Sequence, residues 1–79
     1  MYKNKDLQWF TELMKMKMLK HENENPLDMD TWKLVNWLED EVKELKNAII
    51  FETEREVMLE SADVANMAYF IAVKTKGRQ

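Results

Sequence analysis

Two pairs of acidic residues, placed symmetrically along the sequence, constrain the fold of this chain more than any other feature. The first pair is Glu41 with Glu44, and the second is Glu60 with Asp63. Each pair has i, i+3 spacing, so both of its members lie on one face of a helix. Glu52 is the midpoint between Glu44 and Glu60 and also between Glu41 and Asp63. A chain reversal at Glu52 would therefore bring the four carboxylates together on two antiparallel helices.

Capping residues predict where the helices of this chain begin and end. Thr53 and Glu56 form a capping box directly after the expected reversal. Asp28 or Asp30 can cap the preceding helix, and Gly77 is expected just after the end of the last one. No alternating β-branched run or hairpin turn signal is present, so we predict no strands. The three predicted helices cover residues 5–20, 30–51 and 54–76.

The neighbours of the four acids are apolar, which is unusual for charged residues. Across residues 57–73 the only formally charged side chains are Glu60 and Asp63. On the second helix, Glu41 and Glu44 lie on a stripe that flanks the main apolar stripe. The main stripe consists of Val35, Leu38, Val42, Leu45 and Ile49, and the acidic stripe also carries Leu34, Trp37 and Ala48.

A carboxylate in apolar surroundings is unfavourable unless it is paired or binds a metal. Three interpretations therefore stay open. In the first, the acids belong to a solvated surface, which is plausible for a chain with 15 Asp and Glu residues. In the second, a Lys or Arg from another helix pairs with them. In the third, a cation binds among them. Hard divalent cations, Mg²⁺ or alternatively Mn²⁺, prefer an all-oxygen site of this kind.

Length and apolarity predict a single domain over residues 1–79 that associates with copies of itself. A chain of 79 residues buries only a limited core. Yet the segment 57–73 is apolar almost all the way round, which is typical of a helix buried on all sides. We therefore expect an all-α, three-helix chain that assembles into an oligomeric helical bundle. A two-fold dimer is the simplest homo-oligomer, and the sequence does not distinguish it from a tetramer.

Composition excludes several other classes of protein. The net charge of −3 argues against a nucleic-acid-binding surface. No apolar run is long enough to span a membrane, no signal peptide is visible, and cysteine is absent. We therefore expect a cytoplasmic protein with no membrane or nucleic-acid partner.

The acidic motif resembles that of a known enzyme superfamily. The MazG-like all-α nucleoside triphosphate pyrophosphohydrolases carry E-E-x-x-E followed, after a variable gap, by E-x-x-D. Glu41, Glu44, Glu60 and Asp63 match this pattern, and Asp40 replaces its first Glu. The likeness is strongest over residues 37–73.

The resemblance implies an enzyme, with the four matching acids as metal ligands and catalytic residues. Members of this superfamily bind Mg²⁺ and hydrolyse a nucleoside triphosphate to a nucleoside monophosphate and pyrophosphate. The implied role is the removal of unwanted (deoxy)nucleotides. The alternatives are a non-catalytic helical oligomer with a structural metal or a salt-bridged acidic core, and a nucleotide-binding regulatory module without activity.

Four further residues are candidates for substrate binding. Trp37 lies one turn before Glu41 and offers a flat face for stacking on a base. Asn66 offers a donor and an acceptor to a base or sugar. Lys17 and Lys20 can contact phosphates. The alternatives are that Trp37 packs in the interior, that Asn66 supports a carboxylate, and that the lysines favour a helix C-terminus.

Overall fold

The described part of the chain is entirely helical. A computed structural model describes residues 4–19 and 25–77, with only the backbone of Leu19 included. The helices are α1 (Asn4–Leu19), α2 (Thr31–Phe51) and α3 (Glu54–Lys76), and a 3₁₀ turn, Pro26–Asp28, precedes α2. Their bounds confirm the three predicted helices to within a residue wherever the chain is described. The 3₁₀ turn was not predicted.

Local hydrogen bonds explain the helix ends. Asp30, rather than Asp28, caps α2 and accepts a hydrogen bond from the Lys33 N–H at 2.9 Å. Thr53 caps α3 and accepts from the Glu56 N–H at 3.3 Å. Only Glu52 and Thr53 separate α2 from α3, so the predicted reversal at Glu52 is confirmed.

Helix α3 is the central helix, because it packs against both α1 and α2. Among the described residues, the buried apolar core consists of Leu34, Ala48, Ala62 and Met67. The 3₁₀ turn also lies against α3, where the Lys74 ammonium donates to the Leu27 carbonyl at 2.9 Å. Helix α3 therefore has neighbours on several sides within a single chain. These contacts account for much of its all-round apolarity, which the sequence led us to attribute to an oligomer.

Helix α2 turns a different face inward from the one that its apolar spacing indicates. Leu34 and Ala48, on the acid-bearing stripe, are completely buried, whereas Ile49 on the main apolar stripe is mostly exposed. The other members of the main stripe are half-buried. The orientation of α2 therefore directs the stripe of Glu41 toward α3 and creates the acidic site.

None of the described helices is both long enough and apolar enough to cross a membrane.

Candidate metal centre

Three of the four predicted acids converge between α2 and α3. Glu41 projects from α2, and Glu60 and Asp63 project from α3. Each offers one carboxylate oxygen, and the three oxygens all lie within 4.8 Å of one another. All three side chains are half-buried. We call these residues the acidic cluster. Its formation agrees with the antiparallel register that the sequence spacing predicts.

Glu44 lies at the outer edge of the acidic cluster. Its side chain is exposed, unlike those of the other three acids. It is nevertheless close enough to raise the pKa of both Glu41 and Glu60, by repulsion and by hydrogen bonding to their protonated forms. The structure therefore brings all four acids together, three inside and one at the rim.

Burial and repulsion make it difficult to ionise the acidic cluster. Desolvation raises the pKa of Glu41 from 4.5 to about 7, and repulsion from Glu44 and Asp63 adds to this effect. A hydrogen bond from Trp37 opposes the shift. The pKa of Glu60 is also raised, first by desolvation and then by Asp63 and Glu44, while Lys17 lowers it. The cluster therefore favours either a proton or another cation.

Lys17 supplies one positive charge to this site from α1. Its Nζ lies 3.2 Å from Asp63 Oδ2, and the two side chains are only 15% and 13% exposed. This ion pair is one of the alternatives to metal binding that the sequence left open, in which a Lys or Arg from another helix pairs with the acids. A phosphate contact by Lys17 stays a prediction. Lys20 lies outside the described residues.

One lysine leaves part of the cluster without a partner. Glu41 Oε2 and Glu60 Oε2 are both buried and accept no hydrogen bond from a described donor while the carboxylates are ionised, since a hydrogen bond with Glu44 needs a proton on one of the acids. Buried carboxylate oxygens are normally paired, protonated or bound to a cation. Two ligands on opposite sides of Mg²⁺ are about 4.2 Å apart. One carboxylate oxygen from each of the three acids lies within 4.8 Å of the other two. The donor set therefore fits one hard divalent cation, with water completing its coordination.

Trp37 and Asn66 make contacts that the sequence did not predict. The Trp37 indole N–H donates to Glu41 Oε1 at 3.0 Å, so this half-buried side chain orients a member of the acidic cluster. The Asn66 amide donates to the Met14 carbonyl at 3.0 Å and thereby joins α3 to α1. Asn66 is only 5% exposed. Base recognition by either residue stays a prediction.

Sequence reasoning did not identify the contact between α1 and the acidic cluster. Met14 and Lys17 on α1 meet Asn66 and Asp63 on α3, so the two contacts are three positions apart on each helix. This spacing is the signal that could have identified the antiparallel α1–α3 pair. Asp40, which replaces the first Glu of the motif, is exposed on α2.

Comparison of the chain with protein-family models, with curated proteins and with solved structures gave no match.

Proposed function

We propose that this protein is a divalent-metal-dependent nucleoside triphosphate pyrophosphohydrolase that removes unwanted (deoxy)nucleotides. The observation that carries the proposal is the pair of buried, unpartnered carboxylate oxygens of Glu41 and Glu60 beside Asp63. Carboxylate oxygens held together between two helices are stabilised by a proton or by a bound cation, and a divalent cation is the one that we propose. The nucleotide chemistry comes from the resemblance of the acidic motif to the MazG-like enzymes. The proposed oligomer is a dimer or tetramer of this chain.

The acidic cluster would hold Mg²⁺, or alternatively Mn²⁺, with Glu44 contributing from the rim. The bound ion would offset the charge of the triphosphate and polarise the anhydride between the α and β phosphates. Trp37 would hold Glu41 in position through its indole N–H. A cation bound to Asp63 would weaken the attraction of Lys17, whose ammonium could then bind a phosphate oxygen.

The second candidate is a non-catalytic helical oligomer with a salt-bridged acidic core. The Lys17–Asp63 ion pair favours it, because the lysine already neutralises one carboxylate without a metal. It accounts less well for the buried Glu41 and Glu60 oxygens, which have no partner in the described part of the chain.

Phosphate release from a panel of nucleotides separates the two candidates. The purified protein is incubated with each NTP and dNTP and Mg²⁺, inorganic pyrophosphatase is added, and phosphate is measured with malachite green. We expect phosphate from at least one nucleotide with wild type and none above background with Glu60→Gln. Asp40→Asn is the matched control, because Asp40 is an exposed acid next to Glu41. No release by wild-type protein that binds Mn²⁺ would contradict the proposed hydrolysis.

A further inference from the structure

Among the described residues, Lys17 is the base that lies against the acidic cluster. Its Nζ is 3.2 Å from Asp63 Oδ2, and both side chains are largely buried. Its charge also reaches Glu60, whose pKa it lowers. Because α1 packs on α3, the lysine approaches the cluster beside the two acids of α3, whereas Glu41 projects from α2. The acidic cluster therefore holds one positive charge before any metal ion binds.

We infer that the ammonium of Lys17 takes the place of a second metal ion, so that the acidic cluster binds a single divalent cation. This inference rests on the metal dependence in the proposed function and adds the number of ions to it. Sites that catalyse phosphate chemistry can hold two metal ions about 3.5–4 Å apart. In this protein a side chain of α1 supplies the second positive charge instead.

The two oxygens of Asp63 show how one metal ion and one lysine can share the cluster. Each oxygen of a carboxylate can accept its own partner. Lys17 binds Oδ2, which leaves Oδ1 for an ion that Glu41 and Glu60 also bind. A second ion on Oδ2 would compete with the ammonium for the same oxygen, and like charges at that distance repel strongly.

The charge of the acidic cluster also agrees with a single ion. Glu41, Glu60 and Asp63 are half-buried and carry three negative charges when all are ionised. Lys17 offsets one of these charges and one divalent ion offsets the other two, so the half-buried part of the site is then neutral. Glu44 is exposed, and water solvates its charge. A second divalent ion would leave an excess of positive charge among the half-buried groups, which repels further cations.

Packing between α1 and α3 holds Lys17 in this position. Separating a buried ion pair leaves an uncompensated charge, which strongly destabilises a protein. The Asn66 amide donates to the Met14 carbonyl at 3.0 Å, three positions from Lys17 on α1 and three positions from Asp63 on α3. This hydrogen bond fixes the two helices within one turn of the ion pair. Lys17 is therefore a positioned cation and not a mobile surface charge.

A lysine supplies only part of what a second metal ion supplies. An ammonium has three donors, so those that Asp63 does not use are available to a phosphate oxygen. It does not lower the pKa of a bound water, as a metal ion does. The role of Lys17 is therefore electrostatic positioning, and any activation of water is left to the single ion.

Counting bound Mn²⁺ in the absence of nucleotide tests the inference. The purified protein is titrated with Mn²⁺, and the free ion is measured by its electron paramagnetic resonance signal. We expect wild type to bind one Mn²⁺ per chain. Lys17→Met removes the charge but keeps a long side chain that favours a helix, and it should bind two ions with a spin-coupled spectrum. Its first ion should bind about 10-fold more tightly than in wild type, because the repulsion from the ammonium is lost.

Lys15→Met and Lys17→Arg are the matched controls. Lys15 lies on the same helix, but its side chain is 64% exposed and pairs with Glu12 at 3.4 Å. Its loss should leave one Mn²⁺ per chain with unchanged affinity. Lys17→Arg keeps the positive charge and should also bind a single ion. Circular dichroism confirms that each variant is helical.

The count for wild type requires no substitution, so it tests the inference even if Lys17→Met fails to fold. Two ions bound to wild type, no bound ion, or a helical Lys17→Met protein that still binds only one would overturn the inference. The proposed function can fail separately. One bound ion without hydrolysis of any nucleotide would contradict the hydrolysis alone, whereas hydrolysis by a wild type with two ions would contradict the role of Lys17 alone.

Discussion

The acidic cluster and a patch of apolar side chains at the turn between α2 and α3 lie on the same pair of helices, and each departs from the usual rule that charged groups are exposed and large apolar side chains are buried. We call the exposed residues Ile49, Ile50, Phe51 and Met58 the turn patch. In the cluster, Glu41 and Glu60 place carboxylate oxygens in the interior. At the turn patch, Ile50 and Phe51 place apolar side chains in solvent. Only about three helical turns separate Glu41 from Phe51 along α2.

The difference between the two regions indicates what each one lacks. Buried carboxylates are unfavourable because they lose water without gaining a counter-charge. Exposed isoleucine and phenylalanine are unfavourable because each leaves apolar area in water, at about 25 cal/mol per Å². A cation corrects the first and an apolar surface corrects the second. Sites at which a sequence departs from local rules are commonly functional, so we interpret both departures as binding sites.

The largest expected effect is the loss of hydrolysis in a cluster variant. Glu60→Gln keeps the shape of the side chain and removes one charged ligand. We expect nucleotide hydrolysis to fall by at least about 100-fold, since even residues that only support metal ligands contribute 10–100-fold. The measurement is the initial rate of phosphate release at saturating Mg²⁺.

A substitution at the turn between α2 and α3 is the control that distinguishes the loss of a metal ligand from a general loss of folding. Ile50→Thr should leave the rate per active site within a few-fold of wild type, because Ile50 lies outside the cluster. Wild-type turnover by Glu60→Gln would rule out the assignment of the cluster as the catalytic centre.

The hydrogen bond from Asn66 on α3 to the Met14 carbonyl on α1 should contribute to stability. Asn66→Ala removes the donor to the Met14 carbonyl and leaves a small cavity next to α1. Loss of a buried hydrogen bond that leaves one partner unsatisfied costs about 1–3 kcal/mol. We expect urea denaturation to show a decrease of this size in the free energy of unfolding. If stability is unchanged and only the ranking of nucleotides shifts, Asn66 recognises the base instead.

Metal binding should stabilise the cluster and leave the turn patch unaffected. At ten times its dissociation constant, Mg²⁺ would add about 1.4 kcal/mol to the free energy of unfolding. For a domain of this size, that corresponds to a rise in Tm of roughly 5–10 °C. Differential scanning fluorimetry at rising Mg²⁺ measures this shift. An equal rise in Glu60→Gln would show that the ion acts elsewhere on the protein.

The overall fold could be predicted from sequence, because local signals determine it. Thr53 and Asp30 begin their helices at the expected positions, and the reversal at Glu52 follows from the capping box. The convergence of the acids followed from their spacing. The inward face of α2 could not be predicted, because its two apolar stripes are adjacent and only tertiary packing decides between them. The partner of Asp63 was equally inaccessible, since Lys17 is distant in sequence and reaches it only once α1 packs on α3.

The metal-free protein should lose stability as pH rises, because of Glu41. Its pKa is about 7 in the folded chain, above the 4.5 of an exposed glutamate. The folded state therefore holds the proton more tightly, and this contribution is fully present below pH 4.5 and is lost as pH rises through 7. We expect Glu41→Gln to gain Tm relative to wild type between pH 5 and 7.5, with no further gain above. A constant difference in Tm across this range would contradict the raised pKa.

The smallest expected effect tests whether Trp37 positions a carboxylate or stacks on a base. Trp37→Phe removes the indole N–H that donates to Glu41 Oε1 but keeps a flat aromatic face. Because that hydrogen bond lowers the pKa of Glu41, its loss should raise this pKa further. If Trp37 positions Glu41, Mg²⁺ affinity and kcat should fall about 10-fold while KM for the nucleotide changes little, as for other residues that support metal ligands. Trp37→Leu, which also removes the flat face, should then behave like Trp37→Phe. A rise in KM in Trp37→Leu alone would instead indicate base stacking, since an interaction made equally in the ground and transition states affects KM rather than kcat.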